Sequence, residues 1–151
     1  MKRLCITPCG SAKIWRKQPD LGAVKAKDVY IGSFAKSCRV YANTYFDDWV
    51  ILSAKHGFLF PEDFVPCDYN VSFNIHSEEV ISVEALKQQI AMKELDKFEE
   101  LVVLGGKKYV EIIMGAFGGS FVYNLPLSGS KGLGYMIQRL KNSVLDGREL
   151  K

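Results

Sequence analysis

Four short apolar runs, at residues 4–6, 49–52, 101–104 and 121–123, each break off into a polar loop rich in glycine or serine. Continuous apolar stretches of this length predict strands buried on both faces of a parallel sheet. The segments between them have helical spacing. Ser33 reads as an N-cap ahead of Phe34, Cys38, Tyr41 and Tyr45, and this helix feeds the run at Trp49. A second helix starts at Ser77 or Ser82 and buries Val83, Leu86 and Ile90 through to about Leu95. A third carries Tyr109, Val110, Ile113 and Met114 until the glycines of 115–119 break it. The last sets Leu133, Met136, Ile137, Leu140 and Val144 on one side and ends at Asp146-Gly147. Residues 71–75 alternate briefly and predict an edge strand or extended arm. Residues 14–28 predict a basic loop with one helical turn.

Strand, loop, helix and strand in this order predict an α/β fold with a mainly parallel sheet of about four strands and helices on both faces. At 151 residues the chain is one domain, 1–151, able to bury roughly 70% of its unfolded surface. No apolar run nears the ~20 residues that a membrane helix needs, and the start is too short in its apolar part for a secretory signal. A cytoplasmic location without membrane attachment is the expectation. Cys5, Cys9, Cys38 and Cys67 lack paired spacing, so neither a disulfide framework nor a metal centre is expected, and no cofactor is implied.

Charge sharpens the picture. The formal net charge is +3, but residues 1–27 carry +6 and the remainder −3. A basic head beside a site suits phosphate or nucleic acid, and equally a solvated surface.

If the four strands are parallel, the loops at 8–13, 53–61, 105–107 and 126–132 gather at one edge of the sheet, where open α/β folds bind ligands. That edge would offer Cys9, Ser11, Lys13, Ser53, Lys55, His56, Gly57, Gly105, Gly106, Ser128, Gly129 and Lys131, with Asp68 just downstream. Hydroxyls, cations and glycines without clustered carboxylates suit an anionic ligand with a polar ring or sugar. The expected geometry is one cavity shared by Lys13, His56, Asp68 and Lys131.

At these positions the chain resembles a family of uncharacterised bacterial and phage domains with the pattern P-C-S-x-x-K, I-L-S-A-K-x-G-L-L, P-Y-D and P-L-x-G. Here the segments read Pro8-Cys9-Gly10-Ser11-Ala12-Lys13, Ile51-Leu52-Ser53-Ala54-Lys55-His56-Gly57-Phe58-Leu59, Pro66-Cys67-Asp68 and Pro126-Leu127-Ser128-Gly129. Gly10 before Ser11, and Cys67 where tyrosine is common, are departures. More remotely it is similar to the peroxide-stress protein YaaA family and to the uracil-DNA-glycosylase-like domain of archaeosine synthase. Those resemblances imply a three-layer α/β sandwich connected with a nucleobase, nucleoside or DNA, without fixing a reaction. The leading reading is a nucleobase- or nucleotide-handling domain that hydrolyses or exchanges an N-glycosidic bond. Asp68 would activate water or stabilise an oxocarbenium-like sugar, and His56 or Lys55 would stabilise the departing base or a phosphate. Lys13 and Lys131 would hold phosphates. Two other classes compete: a non-catalytic nucleic-acid-binding accessory protein using the basic head, and a thiol sensor using Cys9.

Overall fold

A computed structural model describes residues 2–151. Its central sheet has five strands in the order β4-β3-β1-β6-β7. Strands β1 (Arg3–Pro8), β3 (Trp49–Ser53), β6 (Glu100–Val103) and β7 (Val122–Asn124) are parallel and are the four expected from the apolar runs. The fifth, β4 (Gly57–Leu59), pairs antiparallel with β3. It comes from the loop after Ser53, which turns straight back because Gly57 takes φ +76°. A tight hairpin with glycine in the left-handed region does this without strain. A separate two-stranded ribbon joins β2 (Val24–Lys25) to β5 (Phe64–Val65).

Side-chain alternation along the buried strands divides the core into two layers. Leu4, Ile6, Val50 and Leu52 face one side, where they meet Leu86 and Ile90 of α3 (Val83–Met92) and Ile113 of α4 (Lys107–Phe117). Cys5, Trp49 and Ile51 face the other, against Cys38, Tyr41 and Ala42 of α2 (Ser33–Tyr45) and Leu140 of α5 (Leu133–Asp146). The result is a three-layer α/β sandwich. A four-residue helix, α1 (Ala26–Val29), and a 3-10 turn at Ile14–Arg16 occupy the basic segment.

Several local expectations change. The cap of α2 is Gly32, and Ser33 is its first helical residue. The start of α3 is Ser82, whose hydroxyl accepts the Ala85 N–H at 3.1 Å, while Ser77 closes a turn onto the N–H of Glu79. That helix stops at Met92, because Glu94 adopts φ 57° and a 3-10 turn follows at Leu95–Lys97. Residues 71–75 form no strand. Their alternation buries Val71 and stacks Phe73 edge-on against Tyr109 at 5.4 Å. The aromatic face of α2 is core, with Tyr41 fully buried, whereas Leu133 on α5 is exposed.

Candidate functional site

Strand β1 lies between β3 and β6, which follow it in the chain on opposite sides. The carboxyl end of β1 is therefore the topological switch point, where crevices open in sheets of this kind. A hollow of about 250 Å³ lies there, lined by Cys9, Ser11, Lys13, Asn70, Ser72, Asn74 and Tyr109 among others.

The side chains around it are organised by Tyr69. Its hydroxyl bonds to Ser53 Oγ at 2.7 Å and to the Tyr30 hydroxyl. Ser53 Oγ also accepts the N–H groups of Lys55 at 3.2 Å and His56 at 3.0 Å, so the serine ties the turn after β3 to the tyrosine pair. Three side chains with titratable nitrogens gather on the Tyr69 ring. Lys13 Nζ lies 4.3 Å and Lys55 Nζ 5.9 Å from its centroid, and the His56 ring meets it edge-on at 5.1 Å.

Lys13 is the unusual member. It is 3% exposed, and its amine touches one protein acceptor, the Ser11 carbonyl, at 3.4 Å. Among the described residues no carboxylate pairs with it. Burial pulls its pKa below the ordinary lysine value, an effect that Cys9 and Asp68 partly offset. Cys9 Sγ lies 2.9 Å from the Tyr109 hydroxyl. Burial pushes both the thiol and the phenol upward, so near neutral pH both are protonated hydrogen-bond donors. Burial, and then the Lys55 charge, holds the His56 imidazole below its usual pKa.

The glycine and serine loops build a second hollow of about 440 Å³, lined by Gly105, Gly106, Lys107, Glu111, Ser128, Gly129 and Ser130 among others. The two hollows are neighbours. Tyr109 lines the first, and a Cβ on Gly105, which lines the second, would lie 3.2 Å from the Tyr109 Cβ. Gly105 holds φ +147°, a backbone that favours glycine.

Cys9, Ser11, Lys13, Ser53, Lys55 and His56 thus converge on the rim of β1 and β3, while Gly105, Gly106, Ser128 and Gly129 converge next door. The single cavity expected for Lys13, His56, Asp68 and Lys131 is not formed. Only Lys13 lines the smaller hollow, and none of the four lines the larger. Lys131 is exposed, and the cation bound to its loop is Arg139, which donates to Ser130 Oγ at 2.9 Å. Asp68 is exposed and accepts the N–H of the adjoining Tyr69 at 2.8 Å. Gly57 is buried against Gln89, whose amide spans the Phe58 N–H and the His56 carbonyl. Its glycine is required by the hairpin.

The basic head is partly dispersed. Arg3 pairs with Glu149, Lys25 and Lys27 both pair with Glu62, and Lys13 is buried, while Lys2, Arg16 and Lys17 are exposed. Sequence reasoning passed over Tyr69 and took Tyr109 as one face of a helix. The usable signal was position, since Tyr69 directly follows the Pro-Cys-Asp segment and Tyr109 lies in the first turn after Gly105-Gly106.

The model of a family of unknown function, DUF6884, matches residues 9–142. The uncharacterized protein YfjM of Bacillus subtilis (strain 168) is 48% identical over 150 residues, covering 99% of this chain and 100% of that protein. No solved structure matches the chain. The matched span runs from Cys9 past Arg139, taking in every side chain placed around the two hollows, and the chain belongs to the DUF6884 family.

Proposed function

We propose that this protein is a nucleoside- or nucleotide-handling domain that breaks or exchanges an N-glycosidic bond. One observation supports this above the others: a lysine 3% exposed, with no carboxylate in ion-pair contact among the described residues, lines a hollow at the switch point of the sheet. A buried amine with no paired carboxylate is costly to keep charged unless a ligand completes its environment. The neighbouring amides and hydroxyls of Asn70, Ser72 and Asn74 suit a sugar or base. Gly105 and Gly106, ahead of the first turn of α4, suit a phosphate in the adjoining hollow. Pockets for drug-sized ligands measure roughly 300–1,000 Å³, so one hollow suits a sugar or base, and the two together suit a nucleotide. The motif likeness to glycosylase-like domains points the same way.

A small ligand fits better than a long polynucleotide. Duplex binding rests on lysines and arginines free to neutralise phosphates, and in the basic segment this fold commits Arg3, Lys25 and Lys27 to carboxylates and buries Lys13, leaving Lys2, Arg16 and Lys17 exposed.

A thermal-shift screen against bases, nucleosides, nucleotides and short DNA and RNA tests the reading. A ligand at a hundred times its Kd adds about 2.7 kcal/mol, or roughly 5–10 °C for a domain of this size. The shift should vanish in Lys13→Met with the fold retained, and base release should be measurable for the ligand that shifts most. No shift with any of these compounds overturns the proposal. Salt-dependent DNA binding that survives Lys13→Met, without base release, would replace it with the accessory-protein alternative.

A further inference from the structure

We propose that Lys13 is a covalent amine, whose Nζ forms an imine with the aldehyde carbon of a sugar-sized substrate in the smaller hollow. The inference rests on the reading of that hollow as a sugar site. Three features of the geometry support it. Lysines in carbonyl chemistry are desolvated, because the neutral amine is the nucleophile, and Lys13 is buried with no carboxylate in ion-pair contact among the described residues. The Tyr69 ring, itself fastened to Tyr30 and Ser53, packs under the amine at 4.3 Å and limits its freedom. Protonated donors share the hollow, namely the Cys9 thiol and the Tyr109 phenol, 2.9 Å apart. Burial lowers the lysine pKa and raises those of the thiol and phenol, a direction that favours a free amine lone pair beside protonated donors.

The step balances without a redox partner. The Nζ lone pair adds to the carbonyl carbon, and the carbon–oxygen π pair moves to oxygen, which takes a proton from the Tyr109–Cys9 pair. The nitrogen, positively charged after addition, returns one proton to the Tyr109–Cys9 pair to give the neutral carbinolamine. The pair then protonates the hydroxyl, which leaves as water as the nitrogen lone pair forms the carbon–nitrogen double bond. The remaining N–H proton returns to the pair to give the neutral imine. In a glycosidic reaction the aldehyde is the open-chain sugar left when the base departs.

The test is reductive trapping of the full chain with 2-deoxyribose 5-phosphate and cyanoborohydride, followed by intact mass measurement and peptide mapping. The expected result is one adduct per chain, mapped to Lys13, with exposed Lys17 and Lys131 unlabelled and the site selectivity lost in urea. Lys13→Arg should abolish the adduct, and its circular dichroism spectrum checks that it folds. The wild-type map decides the question even if that variant does not. Adducts spread over surface lysines, or none, overturn the imine. A nucleotide thermal shift without trapping would leave the binding reading standing and remove the covalent step. Trapping at Lys13 without any nucleotide shift would keep the amine chemistry and remove the nucleotide.

Discussion

Replacing Tyr69 by phenylalanine isolates the contact on which the rim depends. The ring that supports Lys13 and His56 stays, and only the hydroxyl linking Tyr30 to Ser53 is removed. Tyr30 is 1% and Ser53 0% exposed, so bulk water cannot take over the lost bonds. Ser53 Oγ keeps the N–H groups of Lys55 and His56 as donors, but its own hydrogen and the Tyr30 hydroxyl lose their partner. An unsatisfied buried group costs about 1–3 kcal/mol, so the pair should cost about 2–3 kcal/mol. Against a total stability of roughly 5–15 kcal/mol that is a large fraction. Urea unfolding followed by the fluorescence of buried Trp15 and Trp49 reads it directly. The midpoint should fall with the slope unchanged, and the melting temperature should drop by about 5–10 °C. Burial raises the Tyr69 phenol to about 12, so measurements between pH 7 and 9 see a single protonation state. Adding Tyr30→Phe to Tyr69→Phe should cost less than Tyr30→Phe alone, because its partner is already gone. The reasoning fails if Tyr69→Phe lies within about 0.5 kcal/mol of wild type, or if the two changes add.

Gly57→Ala combines a left-handed backbone at φ +76° with a Cβ that would lie 2.1 Å from Gln89 Oε1, so it should cost about 2 kcal/mol or more in a thermal melt. A variant as stable as wild type would remove the structural account of this glycine. Alkylation of the folded protein near neutral pH should modify exposed Cys67 first and buried Cys5 and Cys38 last. Cys9 should lag behind Cys67, because burial keeps its thiol protonated, and a Cys9 that labels first would contradict this. His56 has a lowered pKa when folded, so below the unfolded value of about 6.5 the unfolded chain binds the proton more readily and stability falls as the pH drops. His56→Gln should flatten that part of the stability–pH curve, and an NMR titration of His56 with a midpoint above 6.5 would reverse the sign.

How far the sequence discloses this fold depends on which forces are local. The four parallel strands were legible because burial on both faces demands continuous apolar runs, and nothing else in the chain resembles Trp49-Val50-Ile51-Leu52. The antiparallel β4 was not, because three residues carry little pattern and the deciding feature is the positive φ of Gly57. Residues 71–75 show the converse. Their alternation is real, but Val71 and Phe73 spend it on packing against the site, leaving no strand partner. At the candidate site, the placing of Cys9, Ser11, Lys13 and Ser53 at the carboxyl ends of β1 and β3 follows from topology. The tyrosines were missed because a buried hydroxyl network depends on partners up to 100 residues apart, as for Cys9 and Tyr109.

The dispersal of the basic head and the burial of Lys13 bear on one question. Net charge in a segment predicts a binding surface only if the fold leaves those charges unpaired and pointing the same way. Here Glu62 takes two of the lysines and Glu149 takes Arg3, although both acids lie far away in sequence. Lys2, Arg16 and Lys17 stay exposed, and Lys13, which pairs with no carboxylate among the described residues, is withdrawn from the surface into the hollow beside β1. A fold selected for stability alone would place methionine or leucine there, since an apolar side chain of similar volume avoids desolvating an amine. Under the proposed reading a ligand entering the hollow accounts for this amine, and the Tyr69 ring beneath it, held by Tyr30 and Ser53, would position it.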